Sequence, residues 1–285
     1  MPELPEVETI RRGLMRFIKG RKLTRTEVLC EKSFIGEAVT GEVVDIRRFG
    51  KALLIDLSSG FSLMIHLRMT GQLIWCGDTE KFAGGHPSEN FVADLPNKQT
   101  RVVLVFEGGK LFFNDQRKFG FIKVLPTEEV ERDGFIAKLA PEPWKMTGEE
   151  LYERLQRHRK SCVKAMILDQ TVICGLGNIY VDEALFVARI HPERKSGSVS
   201  RKEAEKLIKA AREVMEKSID SGGSTMATYV KVDGTKGDYL ESFAQVFHRQ
   251  GLPCVVCGTE IVKIKVAGRG THICPYCQKL EGGDD

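Results

Sequence analysis

The sequence predicts an α+β chain: an N-terminal antiparallel β-sandwich or barrel with one flanking helix, then a helical region ending in a small cysteine-rich hairpin. Three observations carry this. Between residues 43 and 114, short β-branched runs alternate with turn signals such as Ser58-Ser59-Gly60 and Glu107-Gly108-Gly109. Beyond residue 143 the apolar spacing lengthens to the helical period, and Ser/Thr-x-x-Glu boxes at Thr147 and Ser200 open helices. Four of the eight cysteines fall in two Cys-x-x-Cys pairs, Cys254/Cys257 and Cys274/Cys277.

The flanking helix comes first. Val7, Ile10, Leu14, Phe17 and Ile18 make an apolar stripe, Pro5 suits the first turn, and acids precede bases along its length. Just before it lies Met1-Pro2-Glu3. Once Met1 is removed, Pro2 presents a secondary α-amine. Such a group titrates near pH ~7.7–8.0, roughly two units or more below a lysine, so part of it is unprotonated at neutral pH. It can attack an aldehyde-like carbon as a Schiff-base lysine does, and the iminium formed stays cationic without an added proton.

Strands are expected at 43–47, 52–57, 61–67, 101–106 and 110–114, while 77–98, rich in Gly, Asp, Asn and Pro, reads as a surface excursion. Lys51 opens a strand, and His66, Arg68, Met69, Arg117 and Phe119 sit at strand ends. Residue type alone makes such a lysine a solvent-exposed charge and such Met and Phe residues core. Pro- and Gly-containing residues 126–142 mark a boundary. A helix over 164–170, a double turn at Gly175 and Gly177 and a second helix capped by Asn178 follow. Outward-facing amides there suit a phosphate. The dinucleotide-binding alternative is weak, because a helix precedes the turn and a third glycine is missing. Residues 222–237 form a polar, Gly-rich stretch expected to be a lid-like loop.

The cysteine pairs stand sixteen residues apart, the spacing of a closed tetrahedral structural zinc site, one Zn²⁺ per chain. A hairpin over 260–266 and 271–274 would carry Ala267-Gly268-Arg269-Gly270 at its tip. The other four cysteines are scattered, which suits a reducing cytoplasm. No apolar run is long enough for a membrane span, and residues 1–20 are too charged for a signal peptide. A net charge of +4 is mild, but 11–25, 154–164 and 263–269 are locally basic.

Along essentially its whole length the chain resembles the bacterial formamidopyrimidine-DNA glycosylases. The resemblance rests on the opening Pro-Glu-Leu-Pro-Glu-Val-Glu-Thr, Lys51 after Arg47-Arg48-Phe49-Gly50, the Cys174-Gly175-Leu176-Gly177-Asn178-Ile179-Tyr180 block, and the four-cysteine ribbon, in that order. It implies a catalytic β-sandwich domain over 1–130, a linker over 131–143, a helix-two-turn-helix domain with a lesion-capping loop over 144–247, and a zinc finger over 248–285. Pro2 would be the nucleophile and Glu3 its acid–base partner, with Glu6 a further active-site carboxylate and Lys51 and Arg269 aiding catalysis at phosphates. His66, Met69, Gln99, Arg117, Phe119, Lys160 and Asn178 would contact DNA. Ser224, Met226, Ala227, Thr228 and Tyr229 would face the extruded base. The implied protein is a cytoplasmic, monomeric base-excision repair enzyme acting on double-stranded DNA that contains oxidised purines (8-oxoguanine, formamidopyrimidines), with glycosylase and β,δ-elimination lyase activities.

One motif departs from the family. Where it often has His-x-His, this chain has Gln99-Thr100-Arg101. Two rivals are an endonuclease VIII-like glycosylase for oxidised pyrimidines, which usually starts Pro-Glu-Gly-Pro, and a non-catalytic zinc-ribbon DNA-binding protein, which needs no Pro2-Glu3.

Overall fold

The computed structural model describes residues 2–85, 94–223 and 239–280. The chain divides into two compact units, residues 1–137 with 219–238, and residues 138–218 with 239–285. Among the described residues no helix is long and apolar enough to cross a membrane.

The first unit starts with α1 (Leu4–Phe17). Ten strands follow: β1 (Lys22–Val28), β2 (Phe34–Ile35), β3 (Gly41–Phe49), β4 (Ala52–Leu57), β5 (Phe61–His66), β6 (Gly71–Gly77), β7 (Lys81–Gly85), β8 (Thr100–Phe106), β9 (Gly109–Asp115) and β10 (Phe121–Pro126). They hydrogen-bond in the order β2-β10-β5-β4-β3-β1-β8-β9-β6-β7. All pairings are antiparallel except the short β2–β10 contact. The two halves of this order meet only at Lys22↔Glu42 and Leu23↔Gly41. Leu53, Ile55 and Ile65 from one half share a buried core with Leu73, Trp75, Leu104 and Phe113 from the other. That shared core makes the strands a sandwich.

Helix α1 adds Val7, Ile10 and Leu14 to the same core. It begins with a capping box: Glu3 is the N-cap and the Glu6 side chain accepts from the Glu3 N–H at 2.8 Å. The acid-for-serine substitution hides this cap from a Ser/Thr pattern search. At the other side of α1, a Cβ on Gly13 would meet the Phe82 ring at 2.4 Å, and one on Gly84 would meet Ile10 at 2.5 Å. These two glycines let helix and β7 approach closely. Residues 81–85, expected as part of a surface excursion, are therefore a strand with Phe82 and Ala83 buried. Glycines that serve a helix–strand contact look, in sequence, like turn residues.

In the second unit, α2 (Gly148–Gln156), α3 (Val163–Leu168), α4 (Asn178–Ala188) and α5 (Arg201–Asp220) precede a hairpin of β11 (Val262–Val266) and β12 (Arg269–Ile273). The boxes at Thr147/Glu150 and Ser200/Glu203 both form. Phe186 of α4 packs with Val246, Ile261, Cys254 and Cys274, so the ribbon shares a small core with that helix. Glu183, fully buried, accepts the backbone N–H groups of Gln245, Val246 and Phe247 at 2.8–2.9 Å. Burial raises its pKa, and those three hydrogen bonds oppose the rise.

Candidate functional site

In the first unit, Pro2, Glu3 and Glu6 are all buried at the start of α1. Two buried carboxylates, which also close the capping box of α1, thus lie beside Pro2. Gly223 approaches them: a Cβ there would lie 3.6 Å from Glu6 Oε1, and its φ of +100° suits glycine. Ser224, Met226, Ala227, Thr228 and Tyr229, which follow, lie outside the described residues.

Lys51 is buried at the β3–β4 turn rather than exposed as residue type suggests. A chain of contacts ties that turn to α1. Arg48 Nε donates to Glu8 Oε2 at 3.1 Å, and Arg48 Nη1 donates to the Gly50 carbonyl at 3.1 Å. Glu8 also accepts from Arg11 and Arg12. Burial alone would raise Glu8, but the Arg11 and Arg48 hydrogen bonds hold its pKa down at about 2. Arg21 is similarly engaged, with the Phe17 carbonyl and Glu80. Arg11, Arg12 and Arg21 of the basic cluster at 11–25 are thus held by carboxylates of the same unit.

His66 pairs across the sheet with Ala52 on one side and Phe121 on the other. It is buried, and its Nδ1 accepts the Arg68 N–H at 3.0 Å. Burial, with the charges of Arg68 and Lys51, pushes its pKa down to about 3. The ring is therefore a neutral Nε2–H donor at working pH and not a cation. Ring ¹⁵N shifts should show no titration between pH 5 and 8; an imidazolium signal at pH 6 would contradict this.

Met69, Arg117 and Phe119 are exposed at loop tips, Phe119 to 54%. Arg68, Met69, Lys118 and Phe119 line a cleft. Arg68 and Lys118 adopt left-handed φ values of 52° and 58°, uncommon for non-glycine residues and typical of constrained functional loops. The Arg117 guanidinium stacks 4.7 Å above the Phe119 ring centroid. Both loops converge on buried Asp115. Its carboxylate accepts from the Thr70 hydroxyl, the Arg117 N–H at 3.1 Å and the Gly120 N–H at 2.7 Å. Asp115 N–H in turn donates to the Gln99 carbonyl at 2.9 Å, and Arg101 Nε donates to the Asp115 carbonyl at 2.7 Å. Arg101, in the departing motif, is thus a buried brace. Neither Asp115 nor Thr70 stood out in sequence, since an Asp ending a strand is common.

In the second unit, Lys160 is exposed just before α3. Asn178 is the first residue of α4, and the N-cap is Gly177, whose extended backbone fits that position. The Asn178 side chain points away from the cap: Nδ2 donates to the Gly270 carbonyl at 2.9 Å. The hairpin closes earlier than spacing implies. Ala267 and Gly268, at φ 49° and 74°, make a two-residue turn, so Arg269 is the first residue of β12 and pairs with Val266. Its side chain is exposed.

One sulfur from each of Cys254, Cys257, Cys274 and Cys277 lies within 4.8 Å of the others, with separations such as 3.5 Å for Cys257–Cys274 and 4.0 Å for Cys254–Cys277. Sulfurs about 2.3 Å from a tetrahedral Zn²⁺ stand about 3.8 Å apart. The four thiols fit that ion.

Three family models match the chain: the formamidopyrimidine-DNA glycosylase N-terminal domain over 1–122, the formamidopyrimidine-DNA glycosylase H2TH domain over 139–230, and the zinc finger found in FPG and IleRS over 251–280. Among similar proteins, the formamidopyrimidine-DNA glycosylase of Pelotomaculum thermopropionicum is 40% identical, covering 99% of this chain and all of its own. That of Cereibacter sphaeroides is 41% identical, covering 98% of this chain and all of its own. Among solved structures, the Lactococcus lactis Fpg in complex with abasic-site DNA superposes with a TM-score of 0.84 at 34% identity, covering 98% of this chain and 100% of that one. A mutant of the same protein bound to Fapy-dG-containing DNA gives 0.84 at 35% with the same coverage.

Proposed function

The chain belongs to the formamidopyrimidine-DNA glycosylase family, and on that premise we propose that it excises oxidised purines, 8-oxoguanine and formamidopyrimidines, from duplex DNA and then cuts the strand by β,δ-elimination. The observation that carries this reading is the burial of Pro2, Glu3 and Glu6 together at the start of α1. The capping box of α1 needs an acceptor at each of the two glutamate positions but does not need either carboxylate buried against Pro2.

The Pro2 nitrogen attacks C1′ and the bond from C1′ to the base breaks, the base leaving with a proton from solvent. Glu3 takes the proton lost by the amine and passes it to O4′ as the C1′–O4′ bond opens. The resulting iminium acidifies C2′–H. Loss of that proton expels the 3′ phosphate, and a second elimination expels the 5′ phosphate. Lys51 and Arg269 steady the departing phosphates as cations, whereas His66, being neutral, does so only as a hydrogen-bond donor. Residues 1–130 carry this chemistry, 144–247 grip the backbone, 248–285 deliver Arg269, and 131–143 link them. One Zn²⁺ held by Cys254, Cys257, Cys274 and Cys277 supplies folding energy to a ribbon with little core of its own. The enzyme acts as a cytoplasmic monomer. Base-release and strand-cleavage assays on duplexes carrying one defined lesion test the reading. Excision of oxidised pyrimidines in preference to 8-oxoguanine would overturn it.

Met69, Arg117 and Phe119 fill the gap left by the extruded nucleotide, since a ring and a guanidinium suit an orphaned base and its neighbours. Gln99, whose carbonyl accepts the Asp115 N–H, is a further DNA contact. Lys160 and Asn178 act on phosphates, which position the protein without reading sequence. Lys160→Ala should weaken binding equally for damaged and intact duplex and reduce the salt dependence by roughly one counterion. Phe119→Ala should leave the salt slope unchanged and slow excision, less so when the lesion is already mispaired. Excision rates on matched and mismatched lesions at several salt concentrations decide both.

A further inference from the structure

Lys164 and Asp182 form an ion pair with both side chains 0% exposed, Nζ to Oδ1 2.5 Å. Replacing such a pair by apolar residues is often neutral or stabilising, so stability alone is a weak reason for its presence. Its other contacts are more telling. Lys164 Nζ also donates to Thr271 Oγ1 at 2.7 Å, and that hydroxyl donates to the Arg269 carbonyl at 3.1 Å. The second oxygen of Asp182 accepts the His272 N–H at 2.9 Å. With Asn178 on the Gly270 carbonyl, every residue from Arg269 to His272 is tied directly to α3 or α4, or through the Thr271 hydroxyl.

We propose that the buried Lys164–Asp182 pair, acting through Thr271, is a positioning device for Arg269. The inference rests on the reading that Arg269 acts at a departing phosphate. The cysteines cannot set the arginine's position alone. A strand rises about 3.3 Å per residue, so Arg269 stands roughly 16 Å from Cys274 along β12. A two-stranded hairpin that far from its brace is marginally ordered by itself. The ion pair supplies the missing constraint from one ammonium and one carboxylate, each contacting the strand at a different atom.

Thr271→Val tests this, because it keeps side-chain shape, the ion pair and all four cysteines while removing the hydroxyl link. In the zinc-loaded, full-length enzyme it should retain one zinc per chain and excise the base within about twofold of the parent. The ratio of δ- to β-elimination product should fall about tenfold, matching Arg269→Ala. Thr271→Ser, which restores the hydroxyl, should restore the ratio. Lys164→Met/Asp182→Leu, an apolar replacement of the pair, should also lower it. A shifted ratio in Arg269→Ala with an unchanged ratio in Thr271→Val overturns the positioning role alone. An unchanged ratio in both overturns the assignment of Arg269, and this inference with it. Zinc loss in Thr271→Val, or a Ser variant that behaves like Val, also overturns it.

Discussion

Protein that retains Met1 is expected to trap no DNA when borohydride is added during reaction, while the mature protein becomes covalently joined through Pro2. The expectation follows from the amine itself: an acylated proline nitrogen has its lone pair delocalised into the carbonyl and forms no iminium. Loss of the nucleophile should lower strand cleavage by on the order of 10³-fold or more, about 4 kcal/mol of barrier. Damaged-duplex binding should persist, because the proposed phosphate contacts at Lys160 and Asn178 lie elsewhere in the chain. Intact mass and peptide mapping of the trapped species identify the attachment point. Trapping through a lysine, Lys51 above all, would remove Pro2 from the mechanism.

The second large effect is expected at the ribbon. Cys257→Ala should lose the metal, since a four-thiolate site reduced to three ligands falls short of the closed tetrahedron that structural zinc requires. Apparent zinc binding of about 10–16 kcal/mol doubles as folding energy in such modules, so the hairpin should unfold locally. DNA affinity and δ-elimination should be lost together, while the sandwich, whose core contains none of these cysteines, keeps its own unfolding transition. Metal analysis, calorimetry and binding to lesion duplex check the three parts. Normal lesion binding by fully metal-free protein would refute the bracing role.

What could be read beforehand depended on how local the determining physics is. The cysteine spacing, the Thr147 and Ser200 boxes and the 52–57 strand are set by neighbours a few residues away, and all took the expected form. Strand β7 was not legible, because Gly84 reflects contact with Ile10 far along the chain. Likewise, Asn178 reads as a cap until Gly270, distant in sequence, is found at its amide. Burial was the largest omission. No pattern shows that His66 loses its charge to its surroundings, that Lys51 is enclosed, or that Asp115 and Asp182 each serve several donors.

The convergence of two loops on Asp115 bears on the search for damage. A repair protein inspects very many intact base pairs for each lesion, and loops that ordered themselves at every stop would lose conformational entropy each time. Here Thr70, Arg117 and Gly120 are already fastened to one carboxylate. On the role proposed for Met69, Arg117 and Phe119, that ordering is completed once, when the chain folds, and both tips meet the duplex already braced. Inspection then becomes a mechanical question put to the duplex, in which the softer partner, a weakly stacked nucleotide, is the one that yields.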